Sequence, residues 1–183
     1  YVAQPLARSR VNSGSFTQLS IIYGTNLGST QSVSFNAQVV PYKTLYASDT
    51  SVTVQIPRAI PQNISNTITV TTKGGIAMYN FTTVIPALQV TGIFNEYTPV
   101  GDTLTLTGQN FDLYGLDTSS TTITFTGGTT VNVVSGTSTT LEVVVPADAQ
   151  PGPLLLKGDA PLNISVTTMA WYMDNRNFLF DMS

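Results

Sequence analysis

Ile22-Tyr23-Gly24-Thr25-Asn26-Leu27 in the first half of the chain is answered by Leu106-Thr107-Gly108-Gln109-Asn110-Phe111 in the second. The echo continues downstream. Val33-Ser34-Phe35 matches Ile123-Thr124-Phe125, and Thr50-Ser51-Val52-Thr53-Val54-Gln55-Ile56-Pro57 matches Thr139-Thr140-Leu141-Glu142-Val143-Val144-Val145-Pro146. Asn26 to Asn110 is an offset of 84, Phe35 to Phe125 of 90 and Pro57 to Pro146 of 89, the drift expected from loop insertions between copies of one fold. Two related small domains in tandem follow from this repeat.

Within each copy, apolar residues alternate with Ser and Thr at period two. Leu19-Ser20-Ile21, Ser51-Val52-Thr53-Val54, Thr67-Ile68-Thr69-Val70, Thr103-Leu104-Thr105-Leu106 and Thr122-Ile123-Thr124-Phe125 all read as strands with one packed and one wet face. These runs are short, closely spaced and bounded by Gly, Pro, Asn and Ser, and helical periodicity is not developed anywhere. The pattern predicts an all-β chain of sandwiches. Gly24 and Gly108 are expected to supply a positive φ at a sharp strand exit, with the following Asn also tolerating left-handed geometry. Leu27 and Phe111 would then turn inward to plug the sandwich. Pro57 and Pro146 close the longest alternating strands, since proline cannot donate to a ladder, and Lys73-Gly74-Gly75 reads as a hairpin turn.

Each copy is roughly 80–90 residues, enough to bury a core without disulfides or metals. The sequence of 183 residues contains no His and no Cys, which removes imidazole bases, thiol nucleophiles and the commonest zinc ligands. Charged residues are only 9 % and hydrophobic ones 42 %, so the polar surface is built mainly from hydroxyls and amides. A net charge of −3 with scattered Lys and Arg is a poor match for nucleic acid, whose affinity depends on phosphate neutralisation. No apolar run reaches the roughly 20 residues a spanning helix needs. Residues 84–90, Val-Ile-Pro-Ala-Leu-Gln-Val, lack Gly, Ser and charge, the opposite of a flexible tether.

Candidate chemistry is thin. A hydrolase triad cannot be assembled without histidine and without Gly-x-Ser-x-Gly. Asp112 and Asp117 flank a loop too poor in oxygen ligands for calcium. Gly74-Gly75 and Gly127-Gly128 are hairpin glycines rather than phosphate cradles. The expectation is therefore a non-enzyme with no cofactor and no metal. Candidate sugar-stacking aromatics are Tyr42, Tyr46, Tyr97 and Tyr114. Tyr114 with Asp112, and the sole tryptophan, Trp171, are the residues singled out as candidate carbohydrate contacts. Residues 169–183 crowd aromatics together and are expected to open a further domain, which gives boundaries of 1–86, 87–168 and 169–183.

The Gly-x-Asn-apolar exit, the strand ending in Ile-Pro or Val-Pro and the Gly-rich final hairpin resemble IPT/TIG domains, immunoglobulin-like sandwiches of the E-set kind. Three further stretches, Ile21-Ile22-Tyr23-Gly24-Thr25-Asn26-Leu27-Gly28, Phe94-Asn95-Glu96-Tyr97 with Gly101-Asp102, and Tyr172-Met173-Asp174-Asn175-Arg176-Asn177, are similar to the surface glycan-binding proteins of Bacteroidetes polysaccharide-utilisation loci. That resemblance implies an outer-membrane lipoprotein facing the medium. It would capture polysaccharide beside a SusC/SusD-like transporter complex, with the main sugar site in a C-terminal domain beyond these residues and the present stretch as spacer. Two alternatives stand beside it: direct carbohydrate binding by the second domain through Tyr114 and the 112–117 loop, and an accessory region of a secreted polysaccharide-degrading enzyme.

Overall fold

Period-two burial runs through nearly every strand of the computed structural model, which describes residues 3–9, 11–41, 46–158 and 163–172. The chain divides into two compact units, Tyr1–Pro86 and Ala87–Ser183.

The first unit contains β1 (Leu6–Ser9), β2 (Ser13–Ser15), β3 (Leu19–Thr25), β4 (Thr30–Phe35), β5 (Gln38–Val39), β6 (Tyr46–Ala47), β7 (Ser51–Gln55), β8 (Thr67–Thr72), β9 (Gly75–Asn80) and β10 (Thr82–Val84). One four-stranded sheet runs β1-β3-β7-β6 and the other β5-β4-β8-β9, while β2 and β10 form a short parallel pair. Ile22, Val52 and Val54 from the first sheet and Val33, Phe35, Ile68 and Val70 from the second belong to one buried cluster with Leu27, Ile56 and Phe81. Each fully buried side chain of this size contributes about 1.5–3 kcal/mol through removal from water.

The second unit contains β11 (Gln89–Ile93), β12 (Thr103–Gln109), β13 (Thr122–Thr126), β14 (Thr130–Asn132), β15 (Ser135–Gly136), β16 (Thr140–Val144), β17 (Gln150–Lys157) and β18 (Ser165–Trp171). Its sheets run β11-β12-β16-β15 and β14-β13-β17-β18, strand for strand the order of the first unit. Both units are immunoglobulin-like sandwiches of two antiparallel four-stranded sheets.

The repeated motif has a shared physical basis. A Cβ on Gly24 would stand 1.8 Å from the carbonyl oxygen of Leu6, and one on Gly108 would stand 2.2 Å from that of Gln89. Neither glycine has a positive φ, so the expected role changes: glycine is needed because the neighbouring strand's backbone passes too close for any side chain. The left-handed residues are the asparagines, Asn26 at φ 59° and Asn110 at φ 65°. Their side-chain amides donate to the carbonyls of Gln4 and Ala87 at 2.9 and 2.8 Å. The exit drops Leu27 and Phe111 into the cores, both fully buried.

β3 departs from the simple alternation. Ser20 and Ile22 point inward, while Leu19 and Ile21 are exposed. Cross-strand partners share a face, and Ser20 lies opposite Val54 and Ile22 opposite Val52. Burial of the two valines therefore fixes the face of β3 and carries a serine into the core. A one-residue slip would restore Leu19 and Ile21 to the inside but break the Gly24 approach to β1.

The second unit does not finish at residue 168. β18 continues to Trp171, whose fully buried indole meets Phe125 edge to face at 5.5 Å and 89°. Phe81 does the same against Phe35 at 5.5 Å and 73° in the first unit. Trp171 stands 90 residues after Phe81, the offset already separating Phe35 from Phe125. Of the crowded tail, residues 173–183 lie outside the described residues.

Gly24→Ala and Gly108→Ala are each expected to lower stability by about 2–4 kcal/mol, because backbone must move to admit the methyl group. Denaturant unfolding should show Gly24→Ala weakening the first unit and Gly108→Ala the second. Trp171→Ala should cost the second unit about 3–5 kcal/mol through the cavity it leaves.

Candidate functional site

Three residues singled out by sequence are placed by the structure in the second unit, but they do not form one open surface. Trp171 is inside the core and presents no face to solvent. Tyr114 is half-buried and packs against that same core. Asp112 sits in the loop that carries Tyr114, a compact turn closed by Tyr114 N–H to Asn110 O at 3.2 Å, Gly115 N–H to Asp112 O at 3.1 Å and Leu116 N–H to Phe111 O at 2.9 Å. Fully buried Leu116 anchors the loop from below, so it works as a plug on the sandwich. Among the described residues no group of three or more acidic side chains is placed to hold a metal ion. Of the other aromatics, Tyr46 is exposed on β6, and Tyr42 lies outside the described residues.

Tyr97 is different. Its ring stacks on that of Tyr172, with centroids 5.5 Å apart and planes 23° from parallel, and both rings are about half exposed. Phe94 lies just beyond β11 and is 76 % exposed, the most open of the phenylalanines among the described residues. Phe94 and Tyr97 line one groove of ≈ 350 Å³ together with Asn95, Glu96 and Asp102.

The loop carrying these side chains is pinned along its length. Phe94 N–H donates to Thr105 O at 2.8 Å, the buried Thr98 hydroxyl donates to Asn95 O, and Asp102 N–H donates to Pro99 O at 3.2 Å. Gly101 N–H to Val145 O at 2.9 Å and Val145 N–H to Asp102 O at 3.0 Å tie its far end to the residue that follows β16. Tyr172 N–H to Glu96 O at 2.7 Å ties its middle to the end of β18, within an isolated parallel bridge between Tyr97 and Tyr172.

The first unit contains the same bridge without the aromatics. There Thr82 N–H donates to Asn12 O at 2.8 Å, and Thr82 pairs with Ser13. Ser13 to Tyr97 is an offset of 84 and Thr82 to Tyr172 one of 90, the offsets of the repeat on either side. A small polar pair is thus enough to close the sandwich in one copy, and the other copy places two exposed tyrosines at the same positions. The sequence offers Tyr97 as one of four candidate tyrosines and does not pair it with Tyr172, which is 75 residues away; aligning the two copies through to Thr82 and Tyr172 is the signal that pairs them. Beside this bridge the first unit holds a larger cleft of ≈ 640 Å³, lined by Arg8, Asn12, Asn66, Asn80 and Thr82 with Tyr79.

Comparison with known proteins finds the IPT/TIG domain over residues 88–180. An IPT/TIG domain-containing protein from Bacteroides ovatus is 34% identical over 98 residues, which is 50% of this chain and 20% of that protein's length. Among solved structures, the surface glycan-binding protein PbSGBP-B from Prevotella bryantii matches 98% of this chain and 44% of its own, at 22% identity and a TM-score of 0.48. SGBP-B of the Bacteroides ovatus mixed-linkage glucan utilization locus, in complex with a mixed-linkage heptasaccharide, matches 94% of this chain and 46% of its own, at 16% identity and a TM-score of 0.36. The chain therefore spans a fifth of the curated relative and less than half of these two structures.

Because the sole tryptophan is a core residue, its fluorescence should be blue-shifted, resist quenching by acrylamide and remain unchanged when oligosaccharide is added. A red, readily quenched emission would contradict the burial of Trp171.

Proposed function

We propose, from the premise that the chain belongs to the IPT/TIG domain family, that it is the spacer region of a non-catalytic cell-surface protein that captures polysaccharide. The observation that carries the spacer reading is what the duplication repeats. Gly24 and Gly108, Asn26 and Asn110, Leu27 and Phe111, and Phe81 and Trp171 are all spent on strand exits and cores. What the two copies share is scaffold and not a binding surface.

Glycan as the ligand class is supported by the stretches around Gly24, Phe94 and Tyr172 that resemble surface glycan-binding proteins of Bacteroidetes. The relative from Bacteroides ovatus agrees with that source. In this reading the principal sugar site belongs to a domain following these residues. An N-terminal lipid anchor holds the protein at the extracellular face of the outer membrane, and a SusC/SusD-like transporter complex receives the glycan. Spacing has a physical use here. A binding domain held at a fitting distance from its neighbours gains effective concentration over one on loose polymer. A surface of hydroxyls and amides also keeps its hydrogen bonding as ionic strength varies, whereas ion pairs between exposed charges are screened.

A polypeptide extended from this chain through its natural downstream residues should bind polysaccharide at least about tenfold more tightly than the chain alone, a difference of roughly 1.4 kcal/mol. Calorimetry against xyloglucan, mixed-linkage β-glucan and starch measures it, and equal affinity would remove the spacer reading. Cleavage of the polysaccharide by the extended polypeptide would instead favour an accessory region of an enzyme. Protease treatment of intact cells should degrade the protein, as expected of the outer face.

A further inference from the structure

We propose that the second unit itself carries a saccharide-stacking site, formed by Phe94 and by Tyr97 backed by Tyr172, for an uncharged pyranose chain. The choice of a sugar as ligand rests on the glycan reading above; the site rests on four observations of its own.

The first is exposure without structural need. Ser13 and Thr82 close the first unit with the same backbone bridge that Tyr97 and Tyr172 make in the second. The fold does not require aromatic rings at those positions, yet the second unit puts two of them in water. Phe94 lines a groove with Tyr97, and Tyr97 stacks on Tyr172, so the three exposed rings are neighbours.

The second is preorganisation. Tyr172 covers one face of Tyr97 and so limits the rotamers the ring can adopt, leaving its remaining surface beside Phe94 in the groove. The loop backbone between them is fixed at Phe94, Asn95, Glu96, Gly101 and Asp102 by the hydrogen bonds already described. A ligand that stacks there has little ordering cost to overcome.

The third is the company the rings keep. Asn95, Glu96 and Asp102 line the groove with Phe94 and Tyr97. An amide and two carboxylates supply acceptors and donors at the rim of an aromatic floor, which suits a ring with apolar C–H faces and a polar hydroxyl equator. A carboxylate accepting from a hydroxyl makes the stronger, charge-assisted kind of hydrogen bond.

The fourth is charge. The two charged side chains lining the groove, Glu96 and Asp102, are both acidic, so uronate or sulfated chains are repelled where neutral hexose and pentose chains are not. This selects neutral plant-type or storage glucans over pectin-like polymers. It also predicts that binding is nearly independent of salt, because stacking and hydroxyl hydrogen bonds are not screened.

Affinity electrophoresis of the 183-residue chain in gels containing xyloglucan, mixed-linkage β-glucan, starch or polygalacturonate tests the proposal. The chain should be retarded by at least one neutral polymer, equally at low and high salt, and not by polygalacturonate. Phe94→Ala and Tyr97→Ala should each weaken that retardation about tenfold, while Met78→Ala, exposed on β9 of the first unit, leaves it unchanged. Unaltered Trp171 emission and thermal unfolding serve as the folding control for each variant. Retardation by polygalacturonate alone, or equal retardation of wild type and both ring variants, would overturn the site. If this chain binds none of the polymers while the downstream-extended polypeptide does, the site is refuted and the proposed function stands. If neither binds, both fall. If this chain binds and the extension adds nothing, the site stands and the spacer reading falls.

Discussion

Two strands in each unit approach so closely that only a glycine fits between them, and much else is set by that contact. At Gly24 and Gly108 the carbonyl oxygens of Leu6 and Gln89 occupy the space a side chain would need. This locks β1 to β3 and β11 to β12 in one register. With the register fixed, the chain must turn within two residues, and asparagine provides the turn by adopting a left-handed conformation and donating its amide to a carbonyl two residues ahead of the neighbouring strand. The next side chain then has one direction available, into the core. Glycine, asparagine and the large apolar residue act as one device.

Much of this was legible in the sequence because local chemistry and fold agree at those positions. Val52, Val54, Ile68 and Val70 alternate with threonine or serine and are buried as their period demands, and Leu104 and Leu106 follow suit. Where sequence reading misjudged, the deciding force came from a distant strand. Leu19 and Ile21 look inward by composition, but the pairing of β3 with β7 gives the inside to Ser20 and Ile22. Trp171 looked like the herald of another domain because it is large and late in the chain. Its destination is set by Phe125, 46 residues earlier, and by the precedent of Phe81 against Phe35.

The candidate site was less legible than the fold, and for a physical reason. Stacking on a sugar needs rings that are exposed and held, and exposure leaves no periodic trace in a sequence. Tyr114 and Tyr97 look alike among their polar neighbours, yet one leans on the core and the other is propped in solvent by Tyr172. What separates them is the repeat. A position filled by serine in one copy and by tyrosine in the other has been released from the demands of folding, and the surface of the second copy is where that release shows.

The short parallel pair of β2 and β10 has a mechanical side. Residues 13–15 lie near the beginning of the first unit and residues 82–84 near its end, and the two strands run in the same direction with three residues in register. Tension applied to the two ends of the unit draws such strands past each other along their length, so their hydrogen bonds are loaded together in shear instead of being peeled apart one at a time. The clasp joins a segment near one end of the unit to a segment near the other, so a pull on both ends loads it in this way.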